Sequence, residues 1–183
     1  MTDPAPRRRR SPGLPEMDAA IAARTIDPGA TVVVSGFGSV GYPKAVPSAL
    51  ARDWGEAPGL TLVSGGSVGP EIDSAMVDAG ALAHRAPYQA QPTSRAAIDA
   101  GELGFDDRHV SAIGEDVYRG HYGSVDVAIV EAVAVGPDWL VPSTPPGPTP
   151  SYAAAADRLS DELNVAQTPA PRQRTDVHRP PPP

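Results

Sequence analysis

Two short segments carry most of the chemistry that this sequence can suggest. Gly36-Phe37-Gly38-Ser39-Val40-Gly41 follows the apolar run Thr31-Val32-Val33-Val34-Ser35, and Gly65-Gly66-Ser67-Val68-Gly69 follows Leu60-Thr61-Leu62-Val63-Ser64. A glycine has no Cβ, so backbone N–H groups in such turns can approach an oxyanion or carboxylate closely. The alternative is a pair of tight strand-to-helix turns with no ligand. The first turn also fits G-x-G-x-x-G, which in a dinucleotide-binding unit sets a pyrophosphate on the next helix N-terminus. That unit requires a carboxylate at the end of its second strand to hold a ribose. Here the second strand ends Val63-Ser64-Gly65-Gly66, and Tyr42-Pro43 delays the helix after the first turn.

Other polar residues are candidates with two readings each. Glu131 follows an apolar run and is expected at the C-terminal end of a strand. There it is a nucleophile or general base, or an acid held by backbone N–H groups. Asp107 and His109 are two apart, so on a strand they share a face, as an acid–base pair or a structural hydrogen bond. His84-Arg85 reads as an anion site or as exposed basic residues at a helix end. Lys44 and Arg95 complete the set. The four histidines are scattered and there is no cysteine, so the sequence predicts no metal centre, disulfide or thiolate nucleophile.

The elements that must position these residues follow from pattern. The spacing predicts a short helix around Met17, Ile21 and Ile26, stopped by Asp27-Pro28-Gly29, with strands over 31–35 and 60–64. Helices are expected over 44–54, 70–79 and 93–100, a strand over 109–113 and a central strand over 125–132. A proline-rich loop over 142–150 and a helix over 152–159 follow. Strand, glycine turn and helix occur twice in succession, and the strands are continuously apolar rather than alternating. This predicts an α/β fold with an open, mostly parallel sheet buried under helices on both faces. Ligands in such sheets bind at the carboxyl ends of the strands, where both glycine turns lie.

The 183 residues suffice for one domain with a core. Fifteen of the 23 prolines lie in residues 1–15 or 142–183, so the middle of the chain is the folding unit. Residues 1–15 are expected as an Arg/Pro-rich disordered tail, 16–167 as the domain and 168–183 as a Pro-rich disordered tail. The net charge of −7 becomes −11 without the four arginines at 7–10, which argues against nucleic-acid binding. The longest apolar run, 125–135, contains Asp126 and Glu131, so no membrane span is expected. No apolar segment follows the arginine run, so a secretory signal is not expected and a cytoplasmic location is.

Ser35-Gly36-Phe37, then Gly41-Tyr42-Pro43-Lys44-Ala45-Val46-Pro47, resembles the opening of the acetyl-CoA hydrolase/transferase family, which includes acetate and succinate CoA-transferases. The second glycine turn, Arg85-Ala86-Pro87-Tyr88-Gln89, Arg95 and Asp107-Arg108-His109-Val110-Ser111 continue the likeness in order. So do the stretch from Asp126 to Ala132, Pro142-Ser143-Thr144, and the stretch from Glu162 to Gln167. The resemblance covers about 19–167. It implies a CoA-transferase-like N-terminal domain whose family exchanges CoA between an acyl-CoA and a short carboxylate. A glutamate attacks the thioester, and a glutamyl-CoA thioester carries the CoA. It implies that Gly36, Phe37, Gly38, Gly65, Gly66 and Ser67 line the acyl side, with the Ser67 hydroxyl donating to a substrate carboxylate. Glu131 is then pocket-lining or structural, and the nucleophile and most CoA contacts belong to a second half, so no catalytic residue is expected in this chain.

CoA or acyl-CoA enters as substrate, with no permanently bound cofactor. Expected partners are acyl-CoA, a small carboxylate, and a separately encoded second half or another copy. The chain alone is expected to be inactive, a truncated relative or one half of a split enzyme. A non-enzymatic acyl- or CoA-binding module and a dinucleotide-binding domain are the alternatives. The chain departs from the family pattern in three places. Pro145-Pro146 stiffens a loop where a serine is usual, Ser160-Asp161 places a charge on a strand expected to be buried, and Asp99 stands for an asparagine.

Overall fold

The computed structural model describes residues 14–53, 58–167 and 177–178. The expected tails therefore lie largely outside the described residues, as does Trp54.

Strand β1 (Thr31–Val34) is flanked in parallel by β2 (Leu60–Ser64) and by the long strand β5 (Val125–Val135). The sheet continues through β3 (Leu82–Ala86) and β4 (Gly104–Phe105), also parallel. On the other side β6 (Trp139–Pro142) runs antiparallel to the far half of β5, and β8 (Val177–His178) runs antiparallel to β6. Strand β7 (Ala156–Leu163) pairs in parallel with β5, bringing Glu162 opposite Glu131. The sheet is thus mostly parallel, as expected, and it also has an antiparallel end.

Burial on both faces explains the continuous apolar strands. Val32 and Val34 point into one core with Leu50, Leu60, Leu62, Ile72, Met76 and Ile129. Val33 points into the other with Val63, Ala128, Val130, Ile113, Val117 and Tyr152. Alternate residues of one strand therefore serve opposite cores. Helices α1 (Ala19–Arg24), α2 (Ala45–Asp53), α3 (Pro70–Asp73), α4 (Ala75–Asp78) and α5 (Pro92–Asp99) supply the first core. Helices α6 (Ile113–Tyr118) and α7 (Thr149–Ala155) supply the second. Asp18 caps α1, its Oδ1 accepting from Ala20 N at 2.8 Å.

Several expectations are corrected. His84 and Arg85 lie on β3, not at a helix end. Residues 109–112 form a turn, and helix α6 starts at Ile113, so Asp107 and His109 do not share a strand face. The single helix over 70–79 is two short ones with Ser74 between them. The helix expected over 152–159 starts at Thr149 and stops at Ala155, because the chain then joins β5 as β7. The loop over 142–150 is correspondingly shorter. Val177–His178, in a segment expected to be unstructured, adds to the sheet beside β6. Glu131 is inside β5, which runs on to Val135, rather than at its end.

Candidate functional site

The two glycine turns leave adjacent parallel strands at their carboxyl ends and lock together. Gly38 N donates to Ser67 O at 3.0 Å, and Ser39 Oγ donates to Val68 O at 3.0 Å. Phe37 and Val40 exchange main-chain bonds of 3.0 and 3.1 Å, closing the first turn into a small hairpin. Ser35 Oγ donates to Gly41 O at 2.8 Å and accepts from Glu131 N at 2.9 Å, fixing the root of that hairpin to β5. The glycines are required by this contact. A Cβ on Gly65 would lie 2.6 Å from Gly36 O, and one on Gly36, whose φ is +111°, would lie 2.6 Å from Tyr42 Cβ. The structure therefore brings Gly36, Phe37, Gly38, Gly65, Gly66 and Ser67 together on one face. Gly36 and Ser67 are buried, and their main-chain N–H groups have no acceptor among the described residues. A buried donor without an acceptor is costly, and an oxyanion placed there would relieve the cost.

Beneath the second turn lies an ion pair that sequence reasoning missed. Arg85 and Asp73 are both 0% exposed, with Arg85 Nη2 donating to Asp73 Oδ1 at 2.9 Å. The same nitrogen donates to Ser64 Oγ at 2.7 Å and to Gly66 O at 3.3 Å, and Nη1 donates to Ala86 O. Asp73 Oδ2 accepts from Ser67 Oγ at 2.7 Å and Val68 N at 2.6 Å. The Ser67 hydroxyl proton is thus directed to Asp73, and the turn faces outward through its backbone. A buried charge pair is tolerated only when its remaining hydrogen-bonding capacity is largely filled, as it is here. The available signal was Asp73 itself, a carboxylate in the first turn of a helix directly after a glycine turn.

A second polar cluster stands beside the first turn. Lys44 Nζ donates to Glu131 Oε2 at 2.8 Å and to Tyr42 O at 2.7 Å, and lies 3.9 Å from the Tyr42 ring centre. Glu131 is buried. Glu162, opposite it on β7, accepts from Lys44 N and Ala45 N through Oε2 at 2.7 and 2.9 Å, and from Val46 N through Oε1 at 2.7 Å. The start of α2 is therefore occupied by a carboxylate, which suits the helix dipole. The dinucleotide reading needs that helix start for a pyrophosphate, so this arrangement argues against it. The Tyr42 phenol donates to Glu71 Oε2 at 2.8 Å, and its pKa is raised by burial and by that hydrogen bond. A cleft of about 320 Å³ opens beside Lys44, Glu131, Glu162 and Val165. A larger one, about 540 Å³, lies between α1 and β7, away from the glycine turns.

The remaining candidates form no hydrogen bond with either glycine turn among the described residues. His84 Nε2 lies 3.6 Å from Asp106 Oδ2, which His121 Nε2 also approaches at 3.8 Å. His109 Nδ1 is 2.7 Å from Ser111 Oγ, and Arg95 and Asp107 are exposed. Among the described residues, no group of three His, Asp or Glu is arranged to hold a metal ion. Ser160 and Asp161 lie on β7 and are half-buried, so the charge sits at partial exposure rather than in a core. No helix among the described residues is long and apolar enough to cross a membrane.

Comparison with known proteins agrees with this architecture. The chain is 37% identical over 153 residues to the succinyl-CoA:acetate CoA-transferase of Clostridium kluyveri, covering 81% of this chain and 28% of that protein. It is 34% identical over 170 residues to the propanoyl-CoA:succinate CoA transferase of Escherichia coli, covering 88% of this chain and 34% of that one. The chain thus spans about a third of the length of these relatives. The fold also matches glutaconate coenzyme A-transferase from Acidaminococcus fermentans with a TM-score of 0.62 at 15% identity, over 80% of this chain and 68% of that one. Residues 7–177 match the acetyl-CoA hydrolase/transferase N-terminal domain, and the chain belongs to that family.

Proposed function

We propose that this domain holds the acyl or carboxylate end of the substrates in a CoA exchange between an acyl-CoA and a short carboxylic acid. The observation that carries the reading is the pair of interlocked glycine turns with the N–H groups of Gly36 and Ser67 left without acceptors among the described residues. Attack on a thioester carbonyl moves negative charge onto its oxygen, and fixed backbone donors stabilise that charge without reorganisation. In the family's route a glutamate carboxylate attacks the thioester carbon and expels CoA thiolate, leaving a mixed anhydride. The thiolate then attacks the glutamyl carbonyl, releasing the first acid and forming a glutamyl-CoA thioester. The acceptor carboxylate reverses the sequence.

The described residues offer this face no free carboxylate. Asp73 is fully buried against Arg85, Ser67 and Val68, and Glu131 is buried against Lys44. The nucleophile then comes from protein equivalent to the rest of the relatives' length, with CoA passing through as substrate. The test is CoA transfer from acetyl-CoA to succinate, measured on the 183-residue chain alone and on the complex recovered with it from its own cells. The expected result is exchange by the complex and none by the chain alone. Exchange by the chain alone would overturn the assignment of the nucleophile. A chain and complex that neither exchange CoA nor bind acyl groups would overturn the site.

A further inference from the structure

The glycine-turn face has an apolar wall whose position bears on which acids it accepts. Phe37 is 50% exposed, yet its main chain is anchored. Its main chain is closed on Val40 in both directions. The edge of its ring lies over Gly66, where a Cβ would be 3.2 and 3.3 Å from Phe37 Cδ2 and Cε2 and 3.6 Å from Val110 Cγ1. Gly66 has φ +148°, a backbone conformation that side chains rarely adopt, so a side chain there would be strained and would press on the ring. Val110 comes from the turn after β4, whose Asp106 N is bonded to Arg85 O at 3.1 Å. Phe37 and Val110, from separate segments, therefore both border the space above Gly66.

The ring is one residue from each free donor. Gly36 precedes Phe37, and Ser67 follows Gly66, and successive α-carbons are about 3.8 Å apart. A carboxylate or thioester oxygen seated on those N–H groups starts its carbon chain within about one residue's span of the ring. An acetate methyl ends within that span, whereas a longer chain reaches the ring or turns out into solvent. We propose that Phe37, set over Gly66, is a specificity-determining residue that restricts the site to short acyl chains. This rests on the assignment of the acyl group to the two glycine turns.

The test is an NMR titration of the ¹⁵N-labelled chain with acetate and with hexanoate, following the amide signals of Gly36 and Ser67. It is run on the natural sequence, Phe37→Ala and Phe37→Leu. One methylene in an apolar pocket changes affinity by about tenfold or more. The natural chain is expected to prefer acetate by at least about that factor, Phe37→Ala to reduce the preference about tenfold, and Phe37→Leu to fall between. The same spectra report whether each variant is folded, and Phe37→Leu keeps the comparison readable if Phe37→Ala loses its dispersion. Acetate moving both signals, with an acetate-to-hexanoate ratio unchanged in both variants, overturns the role of Phe37 and leaves the site assignment standing. If neither acid moves either signal in the natural chain, the site assignment falls and the role of Phe37 with it.

Discussion

The carbonyl oxygen of Gly36 fills the space that a side chain on Gly65 would need, with an ideal Cβ falling 2.6 Å away. The two glycine turns therefore depend on each other's lack of side chains. The neighbour is backbone and cannot rotate away, so Gly65→Ala must push the turns apart. The expected cost is about 1–3 kcal/mol, the usual range for overpacking. Chemical denaturation measures it, and Gly80→Ala is the contrast. Gly80 is the opposite case, with a positive φ of +66° but no atom within 4 Å of where its Cβ would be, whereas Gly65 is not among the positive-φ glycines. A Gly65→Ala loss smaller than that of Gly80→Ala would show that the contact costs less than a strained backbone and that the turns separate easily.

Arg85 and Asp73 give a larger effect in a single step. Removing one partner leaves the other charged and fully buried, which costs about 3–5 kcal/mol. Arg85→Met and Asp73→Leu are each expected to lose that much. The double variant should lose clearly less than the sum, since no charge is then stranded. Additive losses in a denaturation cycle would mean that the two side chains act independently. Asp73 also receives Ser67 Oγ and Val68 N. Its variants should therefore disturb the amide signals of 64–68 more than those of the first turn.

The sheet centre and both turns were legible because continuous β-branched runs followed by glycine leave few alternatives. Strand β3 was not, because its sequence Leu-Ala-His-Arg-Ala breaks any apolar pattern. Arg85 is buried there only by virtue of Asp73, twelve residues earlier and on a different element. The end of α7 was misplaced for a related reason. The alanines before Asp157 favour helix, and pairing with β5 overrides that preference from Ala156 onward. Strand β4 has two residues and β6 four, too short for periodicity to register. The six residues on the glycine face were named from resemblance, whereas their mutual packing and the direction of the Ser67 proton required coordinates.

Glu162 joins β7 to the start of α2 through three main-chain donors. It takes the place of a side-chain cap from the helix's own flank, so its removal should fray that end. Glu162→Ala is expected to cost about 1–2 kcal/mol. Glu162→Gln, which keeps one acceptor, should cost less. Because Lys44 is among the donors, the Ala variant should also speed hydrogen exchange at 44–46 while leaving 60–64 unchanged. Equal exchange at both places would mean that the carboxylate supports the sheet as a whole rather than the helix start.

Alkaline pH should weaken the fold through its buried tyrosines. Burial, with Asp106 and Asp116 nearby, pushes the Tyr122 phenol up to about 12. Burial likewise raises Tyr152, and burial with the Glu71 hydrogen bond raises Tyr42. In an unfolded chain all three ionise near pH 10, a value of about 10 being usual for tyrosine. Below that pH both states hold the protons and the contribution to stability is complete. Above it the unfolded chain releases protons that the folded chain keeps, so stability falls as pH rises from about 10 through the folded values. Denaturation midpoints measured from pH 8 to 12 should decline only in the upper half of that range, about where the unfolded tyrosines titrate. Tyr122→Phe should make the decline shallower. A slope that begins well below the tyrosine range, or one that Tyr122→Phe leaves unchanged, would assign the effect to other groups.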